Sequence, residues 1–343
     1  MTGVLCFTSI NFGYLDRARV LGQTLKEKHP EWTFVLGLTD KLPPGFVFDI
    51  DNEPFDRLVT IDDLGIDDLE AWAFKHDVVE LCTAVKAPML LKFLAEGWQK
   101  VFYLDPDIAV FNRLDPLVDA LDHSSVVLTP HQLVPEVEAH AIVDNEICSL
   151  AHGTYNLGFL AVRNDDVGNR IAKWWWDRLR VYCIDDRARG IFVDQKWFDL
   201  VPALFPRVHI CRDPGYNVAS WNISHRRLDI RDDGPFVNGD FPLRFFHFTK
   251  LGPIADAATV RYAGDNIEIH EIWSWYRRQV EDNIAVGLPK GWWAYGSFAD
   301  GSAISRSMRL LYRDRVDLQQ AFPKPFGDPE DGLRHWLHAN GYH

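Results

Sequence analysis

An apolar stretch that ends in two nearby aspartates constrains the fold of this chain more than any other feature. Val101 to Leu104 is apolar throughout, and Asp105-Pro106-Asp107 follows it directly. Unbroken hydrophobic runs are typical of strands buried on both faces of a sheet, and ligands of open α/β sheets bind beyond the carboxyl ends of such strands. Asp-Pro-Asp is also good turn composition, but its position after a buried strand favours a functional site.

The two aspartates have the chemistry of a divalent-cation site. Asp105 and Asp107 offer hard oxygen ligands one residue apart, which suit Mg²⁺ or Mn²⁺. Such an ion keeps water ligands and can bind a substrate diphosphate on its open face. The sequence therefore predicts a metal site at the end of this strand.

The beginning of the chain predicts an α/β fold. Val4 to Ile10 and Thr33 to Leu38 have the composition of strands, and apolar residues recur at helical spacing from Tyr14 to Leu25 between them. A strand, helix, strand order predicts a mostly parallel, Rossmann-like sheet with right-handed crossovers and helices on both faces. Later segments are expected to be helices at 67–85, 88–97 and 191–200 and a strand at 243–248.

Charge and cysteine content exclude several classes of protein. The net charge of −13 argues against a nucleic-acid surface, because phosphate binding needs clustered basic residues. Five scattered cysteines without a Cys-x-x-Cys pair disfavour a disulfide framework and a zinc site. No stretch approaches the roughly 20 apolar residues of a membrane span. These features predict a cytoplasmic protein, with contact to the inner face of the membrane left open.

The composition of the chain changes after Pro253. We expect a catalytic α/β domain over residues 1–253 and a helical, aromatic appendage over residues 254–343 that contacts an acceptor, a partner or a membrane surface. Ile267, Ile272, Trp275 and Tyr276 mark an amphipathic helix in this appendage. Aromatic residues at helical spacing more often pack inward than touch a membrane.

Five short segments, taken in order, resemble a known family. They are Tyr103-Leu104-Asp105-Pro106-Asp107, Tyr155-Asn156-Leu157-Gly158-Phe159, Val193-Asp194-Gln195, Tyr216-Asn217 and Phe246-His247-Phe248. This order resembles the retaining GT-A glycosyltransferases, which include glycogenin and bacterial lipopolysaccharide galactosyl- and glucosyltransferases. The resemblance covers about residues 4 to 252.

The resemblance implies both an activity and a set of site residues. It implies transfer of a hexosyl unit, with retention, from a nucleotide diphosphate sugar such as a uridine diphosphate sugar to a saccharide or protein acceptor, as in cell-surface polysaccharide synthesis. It implies Mn²⁺ or Mg²⁺ as cofactor, held by Asp105, Asp107 and His247. Asp194 and Gln195 correspond to the catalytic segment. The donor-binding set is Thr8, Ser9, Asn11, Phe12, Asp40, Lys86, Asp105, Asn156, Asn217 and Lys250.

The chain departs from the family pattern at three places. Lys86 stands where the family has an arginine, and a lysine supplies charge but not a bidentate fork. Lys196 stands where a second acid is expected. Lys250 follows His247 at a different spacing from the family lysine. Asp194 also has an alternative interpretation as the N-cap of a following helix.

Three rival functions remain open from the sequence. A haloacid-dehalogenase-like phosphatase also has Asp-x-Asp at a strand end, but there the motif opens the domain. A sugar nucleotidyltransferase should have a Gly-rich basic loop near its N-terminus, unlike Asn11-Phe12-Gly13-Tyr14. A non-catalytic sugar-nucleotide-binding subunit would use the aromatic C-terminal region as its interface. Release of phosphate from phosphomonoesters would favour the first, and metal-dependent donor hydrolysis would exclude the last.

Overall fold

A computed structural model of the chain describes residues 3–327 and 332–342, in which a seven-stranded sheet forms the centre. The strands, in chain order, are β1 Val4–Ile10, β2 Thr33–Leu38, β3 Arg57–Thr60, β4 Lys100–Leu104, β5 Ile108–Val110, β6 Val126–Leu128, β7 Phe159–Arg163, β8 Asp185–Asp186, β9 Ile191–Phe192, β10 Val208–Ile210, β11 Val218–Ala219, β12 Leu228–Arg231, β13 Gly234–Val237, β14 Phe241–Pro242 and β15 Phe245–His247.

The central sheet has the order β10-β6-β7-β4-β1-β2-β3. All neighbours are parallel except β7, which runs antiparallel to both β4 and β6. β4, the strand that the acidic pair follows, is at the middle of this order, next to β1. The expected α/β fold with a mostly parallel sheet is confirmed.

Helices flank the sheet. The α-helices are α1 Leu15–Lys28, α2 Leu69–Phe74, α3 Val78–Ala84, α4 Lys86–Ala95, α5 Asp115–His123, α6 Ala139–Ala141, α7 Cys148–His152, α8 Asp166–Tyr182, α9 Val201–Leu204, α10 Pro253–Ala263, α11 Ile267–Asp282, α12 Arg306–Asp314, α13 Val316–Ala321 and α14 Leu333–Ala339. A π-helical segment, Ile142–Ile147, joins α6 to α7.

Both faces of the central sheet are buried. Along β1, Leu5 and Phe7 belong to one hydrophobic cluster, and Cys6 and Ile10 belong to another. Successive side chains of a strand point to opposite faces, so the two clusters are the two faces of the sheet. This double burial is why the runs from Val4 to Phe7 and from Val101 to Leu104 are apolar throughout.

A smaller three-stranded sheet brings distant residues to the end of β4. Its order is β11-β15-β5, and β15 pairs antiparallel with β5 so that His247 lies opposite Ile108. Behind it, Phe248 stacks on Tyr276 of α11 with ring centroids 3.9 Å apart. The small sheet therefore holds His247 beside the acidic pair, although about 140 residues separate them in sequence.

The C-terminal region packs against the rest of the chain. On α11, Ile272 and Tyr276 are buried, and Trp275 contacts Phe111, which agrees with the inward-packing interpretation of the aromatic stripe. Among the residues that the structure describes, none of the helices combines the length and the apolar composition of a membrane span. A domain boundary at Pro253 stays a prediction.

Two helix predictions need correction. The segment 191–200 is not one helix, because Ile191–Phe192 pairs with Asp185–Asp186 and only Lys196–Leu200 forms a 3₁₀ turn. A positive φ of 36° at Val193 interrupts it. The segment 67–85 contains two helices, α2 and α3, and Asp77 starts the second with a capping box.

Candidate metal and donor site

The acidic pair forms a tight turn after β4. The N–H of Ile108 donates to the carbonyl of Asp105 at 3.1 Å, which closes the turn, and the N–H of Asp105 donates to the carbonyl of Gly158 at 2.8 Å. The hydroxyl of Tyr103 donates to Oδ1 of Asp105 at 2.6 Å. These contacts fix the Asp105 carboxylate at the carboxyl edge of the sheet. The N–H of Phe248 donates to the carbonyl of Asp107 at 2.8 Å and holds the backbone of that residue.

His247 completes a group of three residues that could hold a metal ion. Its Nε2 lies 3.0 Å from Oδ1 of Asp107 and 3.7 Å from Oδ2 of Asp105. One ligand atom from each residue lies within 4.8 Å of the others. Two carboxylates and an imidazole fit Mn²⁺ or Mg²⁺, and the imidazole favours Mn²⁺. The residues that the resemblance assigns to the metal therefore meet in space.

A second group with metal-ligand chemistry, His29, Glu31 and Asp115, is already bonded by an arginine. Arg113 bonds to Glu31 at 2.6 Å and to Asp115 at 2.6 Å. Because a guanidinium occupies both carboxylates, this group is an ion-pair network rather than a cation site.

Asn156 orients the imidazole of His247. The backbone N–H of Gly158 contacts the Asn156 side chain at 3.2 Å, so the contacted atom must be the oxygen, Oδ1. His247 Nδ1 lies 3.2 Å from the same oxygen and must therefore donate to it. With the proton held on Nδ1, Nε2 is the atom that faces the two aspartates. Asn156, expected to bind the donor sugar, acts in this structure on a metal ligand.

Replacing Asn156 with alanine should weaken metal binding without unfolding the protein. The imidazole loses the acceptor that fixes its orientation, and loss of such a partner typically costs about 10- to 100-fold in metal affinity. Calorimetric titration with Mn²⁺ measures the change. Asn169→Ala on α8, where the amide bonds only within its own turn, is the matched control and should bind Mn²⁺ like the wild type. Equal affinity in both variants would contradict the orienting role.

Gly158 is required for the close approach of His247. A Cβ at position 158 would overlap the His247 ring and would lie 2.7 Å from Oδ1 of Asn156. Gly158→Ala should therefore displace the third metal ligand and reduce Mn²⁺ affinity on the order of 10-fold or more. The control is Gly3→Ala, whose Cβ would make an ordinary 3.5 Å contact with Trp98. The same calorimetric titration tests both variants, and unchanged affinity in Gly158→Ala would refute the steric argument.

Lys86 is buried between two carboxylates. Its Nζ lies 3.2 Å from Oδ1 of Asp105 and 3.1 Å from Oδ2 of Asp194, and it donates to the carbonyl of Leu157 at 3.1 Å. Burial opposes the charged form, yet the two carboxylates raise the pKa of Lys86 above its usual value. Lys86 is therefore charged, as the sequence predicts, and its two ion pairs link Asp105 to Asp194.

Asp194 is a buried carboxylate on the cavity wall. It is 2% exposed, and burial raises its pKa to about 6 although Lys86 lowers it. The 3₁₀ helix Lys196–Leu200 has Gln195, not Asp194, as its N-cap residue and has no side-chain cap, so the N-cap alternative for Asp194 is not seen.

The backbone before Asp194 is strained. Val193 has φ 36°, a conformation that is unfavourable for a β-branched residue. Two hydrogen bonds hold this segment. The indole N–H of Trp175 donates to the carbonyl of Asp194 at 3.2 Å. The N–H of Val193 donates to the carbonyl of Ile184 at 2.9 Å. Strain of this kind persists where the surrounding structure fixes it, frequently at functional sites.

Gln195 braces the loop that contains Asn156. Its Oε1 accepts the N–H of Leu157 at 2.9 Å and the amide of Asn156 at 3.3 Å, and its Nε2 donates to the carbonyl of His152 at 3.1 Å. Asn217 donates to Oδ1 of Asn156 at 3.2 Å. Both residues belong to the predicted site, and both act on Asn156 in this structure.

One cavity of about 690 Å³ is lined by Lys86, Asp105, Asp107, Asn156, Asp194, Gln195 and His247. Asn217 bonds to Asn156 but is not part of the cavity wall. Lys250 is exposed in its wall, with φ 56°. His131 and Trp221 also line it, and the Trp221 ring meets His247 edge-on with centroids 5.2 Å apart. Sequence reasoning missed His131 and the role of the Tyr103 hydroxyl. No motif signal marks His131, whereas Tyr103 lies two residues before Asp105, on the same face of the strand.

Five predicted donor-binding residues from the first 40 residues of the chain do not line this cavity. Thr8, Ser9, Asn11, Phe12 and Asp40, which the resemblance assigns to donor binding, are all buried. Residues 292–296, which we call the strap, form hydrogen bonds with two of these residues, Asn11 and Asp40. The N–H of Ala294 donates to Oδ1 of Asp40 at 2.7 Å, and the Asn11 amide donates to the carbonyl of Trp292 at 3.3 Å. Their role in donor binding remains a prediction.

Comparisons with known proteins give sequence relatives of unassigned activity. No family model matches the chain. Two proteins of Bacillus subtilis (strain 168), uncharacterized proteins YfnF and YfnD, are 28% and 26% identical over 177 and 179 residues. The matches cover 51% and 50% of this chain and 57% and 53% of those proteins. The chain thus spans about half the length of the curated relatives it matches.

Solved structures that the chain resembles include glycosyltransferases. The galactosyltransferase LgtC, in complex with donor and acceptor sugar analogs, has a TM-score of 0.44 at 14% identity, over 85% of this chain and 99% of LgtC. The glycosyltransferase GlyE of Streptococcus pneumoniae TIGR4 has a TM-score of 0.44 at 14% identity, over 82% of this chain and 64% of GlyE. Mouse xyloside xylosyltransferase 1 has a TM-score of 0.40 at 13% identity, over 74% of this chain and 99% of that one.

Proposed function

We propose that this chain is a metal-dependent glycosyltransferase that moves a hexosyl unit from a nucleotide diphosphate sugar to a saccharide or glycoconjugate acceptor. The observation that carries the proposal is the meeting of Asp105, Asp107 and His247 at the wall of a large cavity. Three ligands from two separate segments at the carboxyl edge of a mostly parallel sheet are the arrangement expected for a diphosphate-binding ion.

Charge balance supports a metal-bound diphosphate. A divalent ion held by these three residues would neutralise the negative charge that develops on a leaving diphosphate. Lys86 is already shared by Asp105 and Asp194. Lys250, exposed on the cavity wall, adds a positive charge that a phosphate could reach.

Asp194 is the proposed catalytic carboxylate. It is buried beside Lys86 and lines the same cavity as the metal ligands. A carboxylate in that place can stabilise the positive charge that develops on the anomeric carbon. Gln195 then positions the loop of Asn156. Retention follows either from front-face attack, with the leaving phosphate as base, or from a covalent intermediate on a carboxylate.

A panel of nucleotide sugars tests the proposed function. With Mn²⁺ present, uridine diphosphate should bind more tightly than guanosine or thymidine diphosphate, and one uridine diphosphate sugar should be hydrolysed slowly in the absence of acceptor. Calorimetry measures the first, and release of the free diphosphate measures the second. The reverse nucleotide ranking would contradict the uridine assignment. Phosphate release from phosphomonoesters, without donor hydrolysis, would favour the phosphatase alternative.

The stereochemical prediction is retention. Asn156, Asp194 and His247 occur in the order of the retaining family, and inverting enzymes need a carboxylate base on the acceptor side. With an α-linked donor, the NMR spectrum of the product should show an α-linkage. A β-linkage would reassign Asp194 as a general base.

A further inference from the structure

A second cavity adjoins the larger cavity that Asp105, Asp107 and His247 line, here called the metal cavity. Residues of the same two loops line both cavities. The second cavity has a volume of about 220 Å³. His131 and Trp221 line the larger cavity, and the adjacent residues Gln132 and Asn222 line the smaller one. The Gln132 amide donates to the carbonyl of Trp221 at 2.5 Å, so the two loops are joined at the border between the cavities.

Arg226 is a buried cation in the wall of this second cavity. It is 3% exposed, and its Nη1 donates to the carbonyl of Tyr216 at 2.6 Å. Among the residues that the structure describes, no carboxylate forms an ion pair with it. Burial lowers the pKa of Arg226 to about 10, and a guanidinium carries five N–H donors. A buried charge with so little compensation is costly unless a ligand supplies the counter-charge.

The other polar side chains of the wall already make hydrogen bonds within the protein. The two arginines, Arg212 and Arg226, are therefore the donors available to a ligand. His225 is bonded through Nε2 to Oε2 of Glu136 at 2.9 Å, and the Asn238 amide donates to the carbonyl of His225 at 3.0 Å. Arg212 is exposed and makes no ion pair within the described part of the chain. The apolar part of the wall is formed by Leu133, Val134 and Pro214.

Cys211 and Asp213 act on Arg226 without an ion pair. Burial raises the pKa of the Cys211 thiol to about 11, so this group is uncharged at neutral pH. Asp213 attracts the guanidinium at longer range. Its Oδ1 accepts the N–H of Gly215 at 2.8 Å, so the carboxylate is engaged by its own turn. Within the described residues, neither Arg212 nor Arg226 therefore has a carboxylate in ion-pair contact.

We propose that this cavity binds an oxyanion, the carboxylate or phosphate group of an acidic acceptor saccharide. A planar guanidinium is suited to bind either group through two parallel hydrogen bonds. The shared loops place such a group next to the metal cavity, where the rest of the acceptor would reach the donor. The assignment to an acceptor rests on the proposed glycosyl transfer, whereas binding of the oxyanion does not.

Titration of the metal-free protein with two probes tests the site. Inorganic phosphate represents a phosphorylated acceptor, and glucuronate represents a carboxylated one, so the tighter probe identifies the group. Calorimetry should show saturable binding of at least one probe. Arg226→Gln should weaken that binding about 10-fold or more, because it removes a charge-assisted hydrogen bond. The matched control is Arg227→Gln, an exposed neighbour that pairs with Asp265, and it should bind like the wild type.

A second variant covers the case in which Arg226→Gln fails to fold. Arg212→Gln changes an exposed side chain of the same cavity and should also weaken probe binding. No saturable binding of either probe, or equal binding in wild type, Arg226→Gln and Arg212→Gln, would overturn the proposal. Oxyanion binding in a protein that binds no nucleotide sugar would overturn the acceptor assignment and leave the oxyanion site standing.

Discussion

Replacing Asp107 with asparagine should remove metal binding and lower turnover on the order of 10²- to 10³-fold. The substitution keeps the size of the side chain and removes one of two carboxylates in the ligand set. The backbone contact that fixes the position survives, because the N–H of Phe248 donates to the carbonyl of residue 107 at 2.8 Å. Mn²⁺ titration and donor hydrolysis measure the two losses, and circular dichroism verifies the fold.

The control for this variant is Asp119→Asn, an exposed aspartate on α5. It changes the net charge equally and should leave both measurements unchanged. Addition of excess chelator to the wild type should reproduce the loss of turnover. Full activity in chelator, or in Asp107→Asn, would refute the metal site.

Replacing Lys86 with methionine should destabilise the protein by about 3–5 kcal/mol, because it leaves a buried carboxylate without its cation. Asp194 is the residue most affected, since it is 2% exposed and Lys86 is its ion-pair partner. Urea unfolding measures the change. The double variant Lys86→Met/Asp194→Leu removes both charges and should recover part of the lost stability.

The matched control is Lys92→Met on the same helix. Lys92 is partly exposed and pairs with Glu96 at 3.6 Å, an arrangement that is worth roughly 0–1 kcal/mol. Similar losses of stability in Lys86→Met and Lys92→Met would show that the buried ion pair contributes little.

The sequence predicts the centre of the site because local patterns determine it. Val101 to Leu104 of β4 is an unbroken apolar run, and the acidic pair follows it by chain connectivity. Asn156, Asp194 and His247 are identified only through the order of short motifs. Their meeting depends on the pairing of β15 with β5 and of β7 with β4, which no local pattern contains.

The parts that sequence reasoning misplaced depend on contacts between distant segments. The expected helix at 191–200 fails because tertiary contacts hold Val193 at positive φ. The burial of Asn11 and Asp40 results from a segment more than 250 residues further along the chain. Propensity describes neighbours in sequence, and neither effect is a property of sequence neighbours.

The strap has a consequence for how the chain folds as a unit. Asp40 is 2% exposed, and burial raises its pKa to about 6, so it depends on the N–H groups of Phe12, Lys41 and Ala294 that bond to it. If the strap detaches, the carboxylate loses one of these donors. The C-terminal region and the first two strands therefore gain their stability together, and hydrogen exchange should show them opening in a single cooperative step.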